Sequence, residues 1–149
     1  MSLGHGYYIE DLSPGMEASV SKTVTDDDIT TFAELSGDIN PVHLNEEFAA
    51  GTIFKKRIAH GFMTGALFST VLGTKLPGPG CIYMSQTMNF RGPVFIGDEL
   101  VATCTITKVD LEKGRAAFDC VCTANGRPVL VGEALMMVSR RPTDGSGDE

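Results

Sequence analysis

"HGFMTGALFSTVL", His60 to Leu72, is the stretch on which the fold turns. It carries no Asp, Glu, Lys or Arg and is apolar on nearly every side of a helix, with small residues interspersed. A helix apolar all round is normally buried. Gly73 and the breaker run "LPGPG", Leu76 to Gly80, end it firmly. The rest of the chain must therefore cover this helix on several sides.

Beyond Gly80 the chain turns β-like. "CIYMSQTMNF", Cys81 to Phe90, is an aromatic strand, and "RGPVFIGDE" is a turn-rich link. "LVATCTITKV", Leu100 to Val109, alternates: Ala102, Cys104 and Ile106 share one face, Thr103, Thr105 and Thr107 the other. "LEKG" reads as a turn, "RAAFDCVCT" as a strand, and "PVLVGEALMMV" as the last strand. Asn125-Gly126, between the last two, is a strong hairpin signal.

Upstream, Met16 to Val24 reads as a short strand. Thr25 is a good N-cap, and three aspartates come after it where the helix dipole favours negative charge. Ile29, Phe32 and Ala33 repeat at helical spacing, and Gly37 can end that helix in a left-handed conformation. A short helix is expected at Glu46 to Ala50, capped by Asn45. Segregated helices and hairpin-joined strands make the class α+β. A curved antiparallel sheet folded around the apolar helix satisfies its need for cover.

The chain has 149 residues, enough for one domain with a sizeable core. Residues 1–6 are read as a tag remnant ("MSL") or flexible start, 7–141 as a single domain, and 142–149 as a disordered tail. A net charge of −7 argues against nucleic acid as the main partner. None of the four cysteines, Cys81, Cys104, Cys120 and Cys122, forms a C-x-x-C pair, so a zinc site is not expected. Cys120 and Cys122 share a strand face and suit buried apolar positions. No signal peptide or membrane span is read, which points to a cytoplasmic protein with reduced thiols.

"SGDINPVH", Ser36 to His43, suits neither helix nor strand and reads as rigid irregular backbone. Loops fixed by a scaffold often carry catalytic groups. Gly37 and Pro41 pin the path, so Asp38 and His43 can converge on one water and act as general acid and base. Asn40 could orient the water or the imidazole. The bland alternative is an ordinary turn with Asp38 capping backbone amides and His43 as a packing residue. In "IAHGFMTG", Ile58 to Gly65, Gly61 near a helix start would present backbone N–H groups able to polarise a carbonyl. A close-packed glycine explains it equally well. His60 is read as packing or capping, and Ser69 as back-bonded or facing the site. Tyr83, Met84 and Phe90 could line a pocket. The basic cluster Lys55, Lys56 and Arg57 could meet ligand phosphates or be solvated surface.

"FAELSGDINPVHLNEEFA", Phe32 to Ala49, resembles the hydratase-2 motif of the MaoC-like (R)-specific enoyl-CoA hydratases. Every defining position is filled: an aromatic, then aliphatic–small–Gly-Asp-x-Asn-Pro-aliphatic-His, five spacers and a small residue. The likeness continues in "IAHGFMTGALFSTVLG", "LPGPGCIYMSQTMNFRGPVFIGDEL" and "GEALMM", covering about Tyr7 to Val138. The resemblance implies the hot-dog fold, a curved antiparallel sheet around a long central helix, and a homodimer or larger homo-oligomer with acyl-CoA sites near the subunit interface. By residue-wise transfer it implies Asp38 and His43 as the catalytic pair, Gly61 N–H as the thioester-oxygen donor, and Asn40 and Ser69 as supporting residues. Tyr83, Phe48 and Arg57 are expected at the substrate. No metal or redox cofactor is expected, because adding water changes no oxidation state. The same fold also carries acyl-CoA thioesterases and non-catalytic acyl-CoA or acyl-carrier binding modules.

Overall fold

The computed structural model describes residues 4–143; residues 1–3 of the expected remnant or flexible start and residues 144–149 of the expected tail lie outside the described residues. The N-terminal segment is seated from Gly6 on: the Gly6 and Tyr7 N–H groups donate to the Pro79 and Pro77 carbonyls.

Strand β1 (Glu17–Thr23) leads into α1 (Asp26–Ser36), then α2 (Pro41–Leu44), α3 (Glu46–Ala50) and α4 (Gly61–Thr74). Strands β2 (Ile82–Gln86), β3 (Asn89–Phe90), β4 (Glu99–Asp110), β5 (Arg115–Ala124) and β6 (Arg127–Met137) complete the chain. The sheet runs β1-β4-β5-β6-β2, with β3 also on β6, and every pairing is antiparallel. This is the α+β hot-dog arrangement.

Local chemistry explains the boundaries. Thr25 and Asp28 form a reciprocal capping box at the start of α1, and Gly37 ends it at φ 80°. Asn125 and Gly126 both take positive φ, as a tight turn between β5 and β6 requires. The aromatic strand expected at Cys81–Phe90 is broken into β2 and β3, because Thr87 leaves the ladder and exchanges bonds with Glu133 through its backbone and hydroxyl. One element was not expected: Pro41–Leu44 is a helical turn, not irregular backbone. Pro41 occupies the first helical position, where its missing N–H costs nothing, and Asn40 caps it.

α4 lies against β1, β4, β5 and β6. Its Phe68, Val71 and Leu72 are fully buried. They meet a sheet face of small side chains, among them Ala102, Cys104, Cys120 and Cys122, which admits the helix closely. Each large apolar side chain buried here contributes about 1.5–3 kcal/mol before entropy is counted. The cover is incomplete, contrary to expectation. Phe62, Ala66, Ser69 and Thr70 form an open stripe along α4, and Phe62 is 65% exposed. The stripe adjoins β2, whose Ile82, Tyr83 and Met84 are also exposed.

Candidate active site

The turn from α1 to α2 is built from side chains that bond their own backbone. Ser36 Oγ donates to the Phe32 carbonyl at 2.7 Å and accepts from the Asp38 N–H at 3.1 Å. Asp38 Oδ1 accepts from the Asn40 N–H, and Asn40 Oδ1 accepts from the Val42 N–H. Such bonds over two residues are what Asp and Asn offer in turns. Asn40 thus orients His43 by capping the helical turn that carries it.

His43 is buried at 8% exposure, and its Nδ1 lies 2.8 Å from the Ile58 carbonyl oxygen. A carbonyl can only accept, so Nδ1 carries the proton and Nε2 presents a lone pair. Burial draws the imidazole's pKa below the ordinary value; the facing Ile58 carbonyl opposes this, the neighbouring His60 adds to it, and Asp38 opposes it. The neutral, basic form is the resident one at neutral pH.

His60 joins the site, which its sequence position alone did not announce. Its ring stacks on His43 with centroids 3.8 Å apart. Its Nε2–H donates to the Asp38 carbonyl at 2.9 Å, leaving Nδ1 buried and unpartnered. His60 is the N-cap residue of α4 by position, yet its side chain caps nothing. The packing role is confirmed and the capping role is not. One nitrogen of each imidazole and one Asp38 carboxylate oxygen lie within 4.8 Å of one another. Asp38 is exposed while both rings are buried, so the acid stands at the surface above them. The same set is, among the described residues, the one with donors close enough to hold a metal ion.

His43 opens onto a cleft of about 580 Å³. Its walls are mostly apolar: Phe54, Ile58, Phe90, Val94 and Leu130 line it, with Gly61 and Thr64 from the first turns of α4. Gly61 is the first residue of a 14-residue helix, so its N–H has no intrahelical acceptor. A side chain at position 61 would collide with the Phe90 ring, whose nearest atom lies 2.5 Å from where a Cβ would stand. Asp38 thus stands beside His43, His43 and Gly61 share the cleft wall, and Asn40 acts on the backbone of the turn.

Four expected residues do not join them within one chain. Arg57 is already committed: its Nε–H donates to the His43 carbonyl and its Nη2 to Asp26, both at 2.6 Å. It clamps the Asp38–His43 turn onto α1 through these two bonds. Phe48 is half exposed and lies off the cleft; Phe54 takes the aromatic place. No periodicity marks Phe54, which sits in a loop. Tyr83 lines a separate shallow groove with Phe62, Ala66 and Met84, and its hydroxyl donates to Gln86. Ser69 is exposed, two turns along α4 from Gly61.

The MaoC like domain family model matches residues 12–123. The chain is 48% identical over 135 residues to an (R)-specific enoyl-CoA hydratase of Rhodospirillum rubrum, covering 91% of this chain and 94% of that protein. It is 47% identical over 134 residues to a 3-hydroxybutyryl-CoA dehydratase of Methylorubrum extorquens, covering 90% and 85% respectively. Among solved structures, an (R)-hydratase from Aeromonas caviae involved in PHA biosynthesis superposes with a TM-score of 0.84 at 38% identity, over 87% of this chain and 98% of that one. A capped Asp-x-Asn-Pro-x-His turn beside an apolar cleft, a buried central helix and matches along most of the chain agree: this protein belongs to the MaoC-like domain family.

Proposed function

We propose that this chain catalyses the reversible addition of water to trans-2-enoyl-CoA, giving (R)-3-hydroxyacyl-CoA. The observation that carries the proposal is the closeness of the Asp38 carboxylate to the His43 ring, with ligand atoms within 4.8 Å, where His43 and the first residue of α4, Gly61, line one apolar cleft. The hydratase and dehydratase relatives support both the thioester substrate and the stereochemistry.

A water held between Asp38 and His43 loses a proton to the pair as its oxygen bonds C3. The pair returns a proton to C2 on the same face, so one water is added overall. Negative charge builds on the thioester oxygen meanwhile, and the Gly61 N–H, at the positive end of α4, stabilises it. No electron is exchanged with a cofactor in this chemistry. The cleft takes the acyl chain, and Arg91, exposed on its wall, is the cation best placed for the coenzyme's anionic part.

A homodimer belongs to the same proposal. The open stripe of α4 and the unpaired edge of β2 form one apolar face, which a second copy would cover. Ser69 lies on that stripe, so it can support a site only from the partner copy. The setting is cytoplasmic, with the four cysteines unbridged, and supply of hydroxyacyl units for PHA synthesis is the use suggested by the A. caviae relative.

Crotonyl-CoA is the test. Loss of the conjugated thioester absorbance, with (R)-3-hydroxybutyryl-CoA by chiral analysis and no free thiol, is expected. Release of free CoA with conjugation intact identifies a thioesterase, and binding without turnover identifies a carrier module; either result overturns the proposal.

A further inference from the structure

Thr64 sits one turn beyond Gly61 on α4 and lines the same cleft. It is 2% exposed, and its Oγ1 has no hydrogen-bond partner. Both facts are unusual together. A helical threonine ordinarily bonds a carbonyl one turn back, but the His60 carbonyl is taken by the Met63 and Thr64 N–H groups. Valine has the same shape and would fit an apolar wall without leaving a polar group unpaired. A buried hydroxyl with nothing to bond, on a residue of the cleft wall, is placed for a ligand atom.

We propose that the Thr64 hydroxyl is a substrate-contacting residue that donates, together with the Gly61 N–H, to the thioester carbonyl oxygen. This rests on the hydratase assignment above and adds a second donor to it. The placement comes from helix geometry. Side chains lean toward the N-terminus of their helix, over the preceding turn. The Thr64 side chain thereby leans over the turn opened by Gly61, whose N–H emerges at the helix start. The acyl oxygen is the substrate atom that both can reach. A hydroxyl can turn its O–H onto that oxygen with no competing partner to release. Its contribution grows as the oxygen gains charge, so it favours the enolate-like state over the bound substrate.

The test uses the full chain with crotonyl-CoA. Thr64→Val should lower kcat roughly ten- to a hundredfold, in the range for loss of one oxyanion donor or somewhat less, with KM changed far less. Its Tm should be equal or higher, because an unpaired buried hydroxyl has been removed. Thr64→Ser, which keeps the hydroxyl, should restore most of kcat. A spectroscopic reading removes dependence on turnover. In an Asp38→Asn background, the carbonyl stretch of bound crotonyl-CoA should lie at higher frequency with Thr64→Val than with Thr64, because the carbonyl is less polarised. Full kcat in Thr64→Val, or an unchanged stretch, overturns the proposal while leaving the hydratase assignment intact if His43→Gln is inactive. Lower Tm in both Thr64 variants, with activity tracking the folded fraction, assigns Thr64 a structural role and also overturns it. A wild-type chain that hydrates no enoyl thioester removes both proposals.

Discussion

The Asp38–His43 turn and the α4–β2 face are opposites in composition and in completeness. The turn is polar and mostly exposed, yet its groups are tied down within one chain: Ser36, Asp38 and Asn40 bond local backbone, and Arg57 and His60 reach in from the next segment. The face is apolar and yet uncovered, with Phe62 at 65% exposure beside Tyr83 and Met84. Order in the turn comes from directional bonds that a few residues can close among themselves. Order in the face needs area, which one copy of the chain does not supply. The site's groups are thus assembled by one chain, while the α4–β2 face is left open by it.

The sharpest way to break that contrast is to remove chemistry from the turn without loosening it. Asp38→Asn and His43→Gln should each reduce hydration of crotonyl-CoA by about a hundredfold or more, with Tm held near wild type. Near wild-type turnover in both would separate the turn from catalysis. The pH profile sharpens the same point. The competent form of His43 is the neutral one, and burial lowers its pKa. Activity should therefore persist through neutrality and fall only as pH drops through that lowered value, with an acid limb below about 6.5, the ordinary imidazole figure.

A smaller effect is expected from charging the face. Ile82→Lys with Met84→Lys places two cations on the exposed edge strand, a device that blocks edge pairing. Light scattering should show the dimer giving way to monomer. Activity should fall roughly tenfold, less than loss of an acid–base group costs, because the turn stays built. A wild-type chain that is already monomeric would remove the second half of the contrast.

The least effect should come from Asn40→Ala. Losing the N-cap of α2 costs about 1 kcal/mol. Calorimetry should show a drop of a few degrees, and kcat should fall severalfold as His43 loses its fixed seat. A variant with unchanged Tm would show that Arg57 alone holds the turn.

Much of the fold was legible in the residues. Thr25 and Asn45 cap nearby N–H groups with their side chains, and Gly37 and the Asn125-Gly126 pair act through positive φ, so α1, α3 and the last hairpin came from local chemistry. The alternation of Ala102, Cys104 and Ile106 marked a sheet face because burial has a period of two in a strand. The motif pointed to Asp38 and His43, which lie close together, and the wider resemblance to Gly61, which shares the cleft with His43. Reading Pro41 only as pinning an irregular path hid α2, since the same fixed ring suits the first position of a helix. Arg57 was misread for a different reason. A guanidinium gives no sign in sequence of whether it will meet a phosphate or, as here, a carbonyl and a carboxylate of its own chain. Phe48, Tyr83 and Ser69 sit near site residues in sequence, but which face each presents depends on packing over longer range. The stacking of His60 on His43 is likewise a tertiary fact.

The contact between Gly61 and Phe90 has a practical side. Because the helix start has no side chain to trim, the bore of the cleft at that point is governed by an aromatic on a two-residue strand. Phe90 is half exposed and held by no polar bond of its side chain, so it can be exchanged without disturbing the Asp38–His43 turn. Anyone wishing to retune the enzyme for bulkier acyl groups should start there, at a replaceable gatepost, and leave the glycine alone.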